Sequence, residues 1–250
     1  MADFDNRVSP FGAARAGTGV IDQGLRSYML QVYNYMAIGL LITGAASIGM
    51  FKLAFVDNGG VIERTALGQT LFSGPLMWVI MLAPFALVMV LSFGIQKMSV
   101  ATAQLTFWVY SALMGVSLTT IFVLYTAQSV TQVFFITAAT FGAMSLYGYT
   151  TKRDLTGFGS FLFMGLIGII IASIVNIFVG SSALGFAISI LGVLIFVGLT
   201  AYDTQKIKEM YSVNDDGTLA GRKAIMGALT LYLDFINLFL MMLRLFGDRR

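Results

Sequence analysis

Residues 224–243 read AIMGALTLYLDFINLFLMML, an apolar run that holds one charged residue, Asp234. A helical span needs about 20 apolar residues, so this stretch makes the chain an integral membrane protein and sets a carboxyl group at bilayer depth. A second acid, Asp203, follows the uncharged stretch Leu155 to Tyr202. A carboxylate in hydrocarbon costs about 3 kcal/mol or more unless it pairs, protonates or faces water. An acid in such a place therefore points to a pathway, a proton site or a catalyst.

The rest of the chain has the same character. Hydrophobic residues make up 58% and charged residues 11%, which excludes an ordinary soluble domain. Uncharged runs extend over Ser27 to Phe51, Thr65 to Gln96, Met98 to Thr151 and Leu155 to Tyr202. The two longest must each fold back once, and polar breaks at Thr126 to Gln132 and at Gly180 to Ser182 supply the turns. The spacing predicts an all-α bundle of seven spans, near 28–51, 75–96, 101–125, 131–150, 158–179, 183–209 and 222–246.

Lys97, Lys152, Arg153, Lys206, Lys208, Arg222 and Lys223 lie in or beside the even-to-odd connections, whereas the opposite loops hold Lys52 and Arg64. By the positive-inside rule the amino terminus is cytoplasmic and the carboxyl terminus outside, against the weaker signal of Arg249 and Arg250. Residues 1–26 are polar and lack a basic-then-apolar signal pattern, so they read as a disordered cytoplasmic tail before a membrane domain at 27–250. The net charge of +3 reflects loops facing anionic lipid and not nucleic acid. With no cysteine and no histidine, disulfides, thiolate nucleophiles, the usual zinc sites and histidine triads are excluded. No resident cofactor is expected.

Gly168, Ala172, Asn176 and Gly180, with Ser181, Gly185 and Ser189, give the fifth and sixth spans a small-residue face suited to close helix packing. Tyr147, Tyr149, Tyr202 and Tyr211 fall where the inner interface is expected.

The sixth and seventh spans form a hairpin through Ser212 to Ala220. With 1.5 Å of rise per residue, Asp203 lies roughly 12 Å and Asp234 roughly 20 Å from that loop, so a modest offset or tilt brings them level. Two carboxyl groups in contact at low dielectric cannot both ionise cheaply, because desolvation and repulsion oppose it, and they titrate as a coupled pair. Such a pair suits a proton-gated constriction. Fully ionised, the same oxygens suit a hard cation such as Ca²⁺. Lys97 at the inner end of the second span is the expected counter-charge, and Asn237, one turn after Asp234, the expected hydrogen-bond partner. Taken alone, Asp203 also reads as an interfacial acid paired with Lys206 on the same helix.

Three segments carry a resemblance: SLYGYTTKRDLTGFG at 145–159, GVLIFVGLTAYDTQKIK at 192–208 and LYLDFINLFLMMLRLFG at 231–247. In these, and in length and motif order over residues 27–247, the chain resembles the bacterial branch of the Bax inhibitor-1, or transmembrane Bax inhibitor motif, family. The resemblance implies a bundle with a central carboxyl-terminal helix surrounded by the other six, in the bacterial cytoplasmic membrane. It also implies a pH-sensitive Ca²⁺ leak whose sensor aspartates are Asp203 and Asp234, which would hold Ca²⁺ transiently. The basic residue some relatives place at the end of the second span falls on Lys97, where others have Arg. Lys lacks the bidentate fork of Arg. An acid that some relatives carry within the second span has no counterpart between Trp78 and Gln96.

Two other readings stay open. A non-conducting regulator would bind a membrane quality-control protease, as some bacterial relatives are described to do, through residues 1–26. An intramembrane aspartyl protease would use the acid pair to activate water. Such proteases share a Gly-x-Gly-Asp element, whereas Leu231, Tyr232 and Leu233 precede Asp234 here.

Overall fold

Within hydrocarbon every backbone N–H and C=O must find its partner inside the chain, which leaves helices as the natural solution for an apolar sequence of this kind. A computed structural model describes residues 11–58 and 61–250, with side chains from residue 23. In chain order the elements are α1 (Phe11–Ala54), β1 (Phe55–Asn58), β2 (Val61–Arg64), α2 (Ala66–Phe72) and α3 (Pro75–Gly94), followed by a 3₁₀ turn at Ile95–Lys97. Then come α4 (Val100–Leu118), α5 (Ile121–Leu124), α6 (Ala127–Thr150), α7 (Thr156–Val179), α8 (Ser182–Glu209) and α9 (Gly217–Phe246). Seven helical stretches are long and apolar enough to cross a membrane, matching the expected seven.

The boundaries that differ have local causes. Thr126 caps α6 and Asp216 caps α9, their side chains accepting from Ser129 N at 3.3 Å and Leu219 N at 2.6 Å. These caps start both helices about a turn earlier than hydropathy alone suggests. Gly180 ends α7 in the left-handed region at φ 65°, a conformation that favours glycine. The hairpin of β1 and β2 pairs Phe55 with Arg64 and Asn58 with Val61. Neither it nor α2 was foreseen. Of the tail expected over 1–26, residues 1–10 lie outside the described residues. Residues 11–26 continue α1, because extending an existing helix adds one hydrogen bond for each residue fixed.

The bundle is arranged around α9, whose spanning window is 67% buried against 11% for those of α3 and α7. α1, α4, α6 and α8 pack directly on it, while α3 rests on α4 and α7 on α8. Because lipid tails are as apolar as leucine, this order depends on close packing and interhelical hydrogen bonds. Thr43 of α1 supplies one node. Its hydroxyl donates to the carbonyls of Gly39 and Ser111, each at 2.9 Å, and accepts from Tyr232 at 2.6 Å, joining α1, α4 and α9. The ring of Tyr232 meets Phe107 and Tyr110 edge-on.

Glycines set the closest approaches, and the expected small-residue face supplies one at Gly185, whose Cβ would meet Asn176 Nδ2 at 3.3 Å. A Cβ at Gly168 would meet nothing within 4 Å among the described residues. Crowded positions around α8 include Gly148 against the Ala201 carbonyl, Gly159 against Tyr202 and Gly198 against Leu162. Here α6 and α7 close onto the half of α8 that leads to Asp203.

The two ends of the bundle are tied differently. At the basic end, Gln205 of α8 donates to the Arg153 carbonyl at 2.7 Å and accepts from Leu155 N at 2.8 Å, bracing the α6–α7 turn. In that turn the Thr156 side chain and, at 2.8 Å, Thr156 N both donate to Asp154, which holds its carboxyl below the usual carboxylate range. The contribution is present at neutral pH and is lost as pH falls through that lowered value. Lys208 reaches the Tyr149 carbonyl at 2.9 Å, and Lys223 pairs with Asp215 at 2.7 Å. At the other end the last residues lie beside the α5–α6 turn, with Arg250 N donating to the Leu124 carbonyl at 3.1 Å.

Gly148→Ala is expected to lower the unfolding midpoint in detergent, since its Cβ runs into backbone, whereas Gly142→Ala on the same helix meets open space and leaves the midpoint unchanged. Thr43→Val is expected to cost about 1–3 kcal/mol in denaturant titrations, because it strands the buried Tyr232 hydroxyl.

Candidate functional site

α8 and α9 run antiparallel, and glycine contacts report their register. Gly227 faces Ile207, and Gly192 faces Met241. That register sets Asp203 level with Leu231, about one helical turn from Asp234, although Asp234 lies several turns further from the connecting loop. The offset arises because the first turns of α9 extend past the end of α8, and Lys223 ties that overhang back through the Met210 carbonyl at 2.9 Å.

The two carboxyl groups are in hydrogen-bonding contact with each other. Such a bond requires a proton on one of them, because an ionised carboxylate only accepts. Asp234 is 5% exposed, and its Oδ2 has no hydrogen-bond partner among the described residues. Asp203 is half-buried and nearer the basic end. The pair therefore has one member open towards an interface and one enclosed in the bundle.

The supporting residues differ from those expected. Lys97 is exposed in the 3₁₀ turn after α3, and the cation whose charge acts on Asp203 is Lys206, one turn further along α8. The turn that carries Lys97 packs against α9, but the Lys97 side chain faces outward. Lys206 lies 5.9 Å above the Tyr202 ring. Asn237 uses its amide N–H on the Leu233 carbonyl of its own helix at 2.8 Å, leaving the carboxyl pair to itself.

A chain of hydroxyls missed in the sequence runs beside the pair. Tyr33 of α1, Ser145 of α6 and Thr204 of α8 are linked at 2.7 and 2.9 Å. Thr204 gives its proton to the Thr200 carbonyl at 2.7 Å. Ser145 must then donate to Thr204, and Tyr33 to Ser145, so the direction is fixed by elimination. Tyr33 and Ser145 also line a cavity of about 880 Å³ between α1 and α6, with Arg26 at its edge. The signal for two of these residues was present, since Ser145 opens the SLYGY segment and Thr204 follows Asp203 directly. Tyr33 lies outside those segments and is recruited by tertiary packing.

Among the described residues no group of three or more acidic, cysteine or histidine side chains is placed to hold a metal ion. Two carboxyl groups present two oxygens each, against the six to eight that Ca²⁺ takes. The pair by itself therefore falls short of a full calcium shell.

Comparison with known proteins adds a second line of observation. The sequence model of the family described as Inhibitor of apoptosis-promoting Bax1 matches residues 25–250. The chain is 50% identical over 229 residues to Inner membrane protein YbhL of Escherichia coli strain K12, covering 91% of this chain and 94% of that one. It is 48% identical over 229 residues to a Rickettsia prowazekii protein, covering 92% of each, and 46% identical to a Caulobacter vibrioides protein along the full length of both.

An enclosed carboxyl with an unpartnered oxygen weakens the bundle that holds it, since well-packed apolar replacements of buried charged groups are often neutral or stabilising. Asp234→Leu is expected to leave the thermal unfolding midpoint in detergent unchanged or higher; a marked fall would mean that the carboxyl pair holds the helices together.

Proposed function

This chain belongs to the Bax inhibitor-1 family, and from that membership and its acid pair we propose that it is a pH-sensitive calcium leak of the bacterial cytoplasmic membrane. The observation that carries the reading is the contact between Asp203 and Asp234 across α8 and α9. The name of the Escherichia coli relative supports the choice of membrane. The clustering of Lys152, Arg153, Lys206, Lys208, Arg222 and Lys223 at one end supports a cytoplasmic amino terminus and an outside carboxyl terminus.

Protons act on the gate through repulsion. With one proton between them the carboxyl groups bond, and α8 and α9 stay closed. Two ionised carboxylates about 4 Å apart repel by about 4 kcal/mol at an effective dielectric near 20. An interhelical hydrogen bond in a membrane protein is worth only about 0.6 kcal/mol on average, so repulsion prevails and parts the helices locally. Lys206, exposed at the Asp203 side, offsets only part of it. Leak therefore rises as pH rises and the shared proton leaves. The freed oxygens then meet a hydrated Ca²⁺, whose charge replaces the proton.

The test is Ca²⁺ flux into proteoliposomes across mildly acidic to mildly basic pH, for wild type, Asp203→Asn and Asp234→Asn. An asparagine at either place keeps a hydrogen bond but cannot ionise, so the rise in flux with pH is expected to vanish in both. Flux and pH response unchanged in both variants would discard the gate.

A further inference from the structure

A second cavity lies on the same seam between α1 and α6, but at the opposite end from the basic loops. It encloses about 560 Å³ and is backed by α9, a volume within the range of small-molecule pockets. Its walls are almost wholly apolar, with Phe51, Phe134 and Phe235 among them. The lips, Ile48 and Phe135, are 47% and 66% exposed, so in a bilayer the slot opens sideways into lipid.

Thr43 and Thr131 also line the slot, with their hydroxyls already bonded within the protein, which leaves three polar residues to face an occupant. Lys52 and Arg250 stand at the mouth, Lys52 exposed and Arg250 paired at 3.5 Å with Asp57. Ser47 lines the cavity, is 5% exposed, and its hydroxyl has no hydrogen-bond partner among the described residues. A buried hydroxyl left unpaired costs about 1–3 kcal/mol, so an acceptor inside the slot would relieve it. Ser47 precedes Lys52 by five positions, which is about 7.5 Å of helix rise below the mouth. That order, cation then hydroxyl donor then apolar channel, repeats the order of phosphate, ester carbonyl and acyl chain in a phospholipid.

We propose that this slot is a binding site for one acyl chain of an anionic phospholipid from the surrounding bilayer. The phosphate meets Lys52 and Arg250, an ester carbonyl accepts from Ser47, and the chain lies between α1 and α6 against α9. Gly44 supports the fit. It lines the slot, and a Cβ there would meet nothing within 4 Å among the described residues. Its missing side chain leaves room that the protein itself does not use. The site is independent of the carboxyl pair, and neither reading needs the other.

The full chain in detergent would be given phosphatidylglycerol or phosphatidylcholine at equal concentration, and bound lipid counted by native mass spectrometry. Wild type is expected to retain the anionic lipid about fivefold more, the contribution of one basic residue at an anionic surface. Gly44→Trp fills the slot and is expected to lose both lipids, with an unfolding midpoint matching wild type. Lys52→Gln, an exposed change that leaves packing alone, is expected to keep binding but lose most of the preference. Equal retention of the two lipids by wild type would overturn the proposal. So would unchanged lipid binding by a folded Gly44→Trp.

Discussion

Asp234 sits on α9, the helix whose window the bundle buries most, and there its carboxyl is kept from hydrocarbon. A carboxyl at mid-span needs a polar neighbour, and the partner it meets, Asp203, lies on the preceding helix. The first turns of α9 extend past the end of α8, and Lys223 ties that overhang to the loop. With α9 fixed by α8, the remaining helices close around it, and its window becomes the most buried of the seven.

What holds the layers together is small and local. Where hydrophobic attraction between helices is absent, contact distance decides the gain. Gly148, Gly159 and Gly198 let backbone or ring atoms approach where any side chain would intrude. Thr43 adds a three-helix hydroxyl node on the opposite face of α9. The acid pair is thus surrounded by parts that are individually weak. A repulsion of a few kcal/mol at one contact is large on that scale.

The seam between α1 and α6 is the loosest part of this arrangement. Both cavities open on it and share Leu40. One reaches the hydroxyl chain of Tyr33, Ser145 and Thr204 at the basic end, and the other carries the cationic mouth at the hairpin end. The same gap therefore meets the hydroxyl chain at one end and the cationic mouth at the other.

The sequence by itself determined the membrane class, the seven spans, the basic end and the two acids, because run length, charge placement and the cost of a buried carboxylate act through composition and order. The motifs around Asp203 and Asp234 also carried the family. Only tertiary structure decided which side chains serve those acids. Lys206, legible from the sequence as a same-helix partner, is the cation near Asp203, while Asn237 turned to its own helix and Tyr33 joined Ser145 and Thr204 from α1, because reach between helices depends on register and rotation that hydropathy does not encode. The caps at Thr126 and Asp216 were written locally, yet apolar periodicity alone could not show them. The slot beside Gly44 arises from two helix faces that fail to meet, and a gap between neighbours is a property of no single segment.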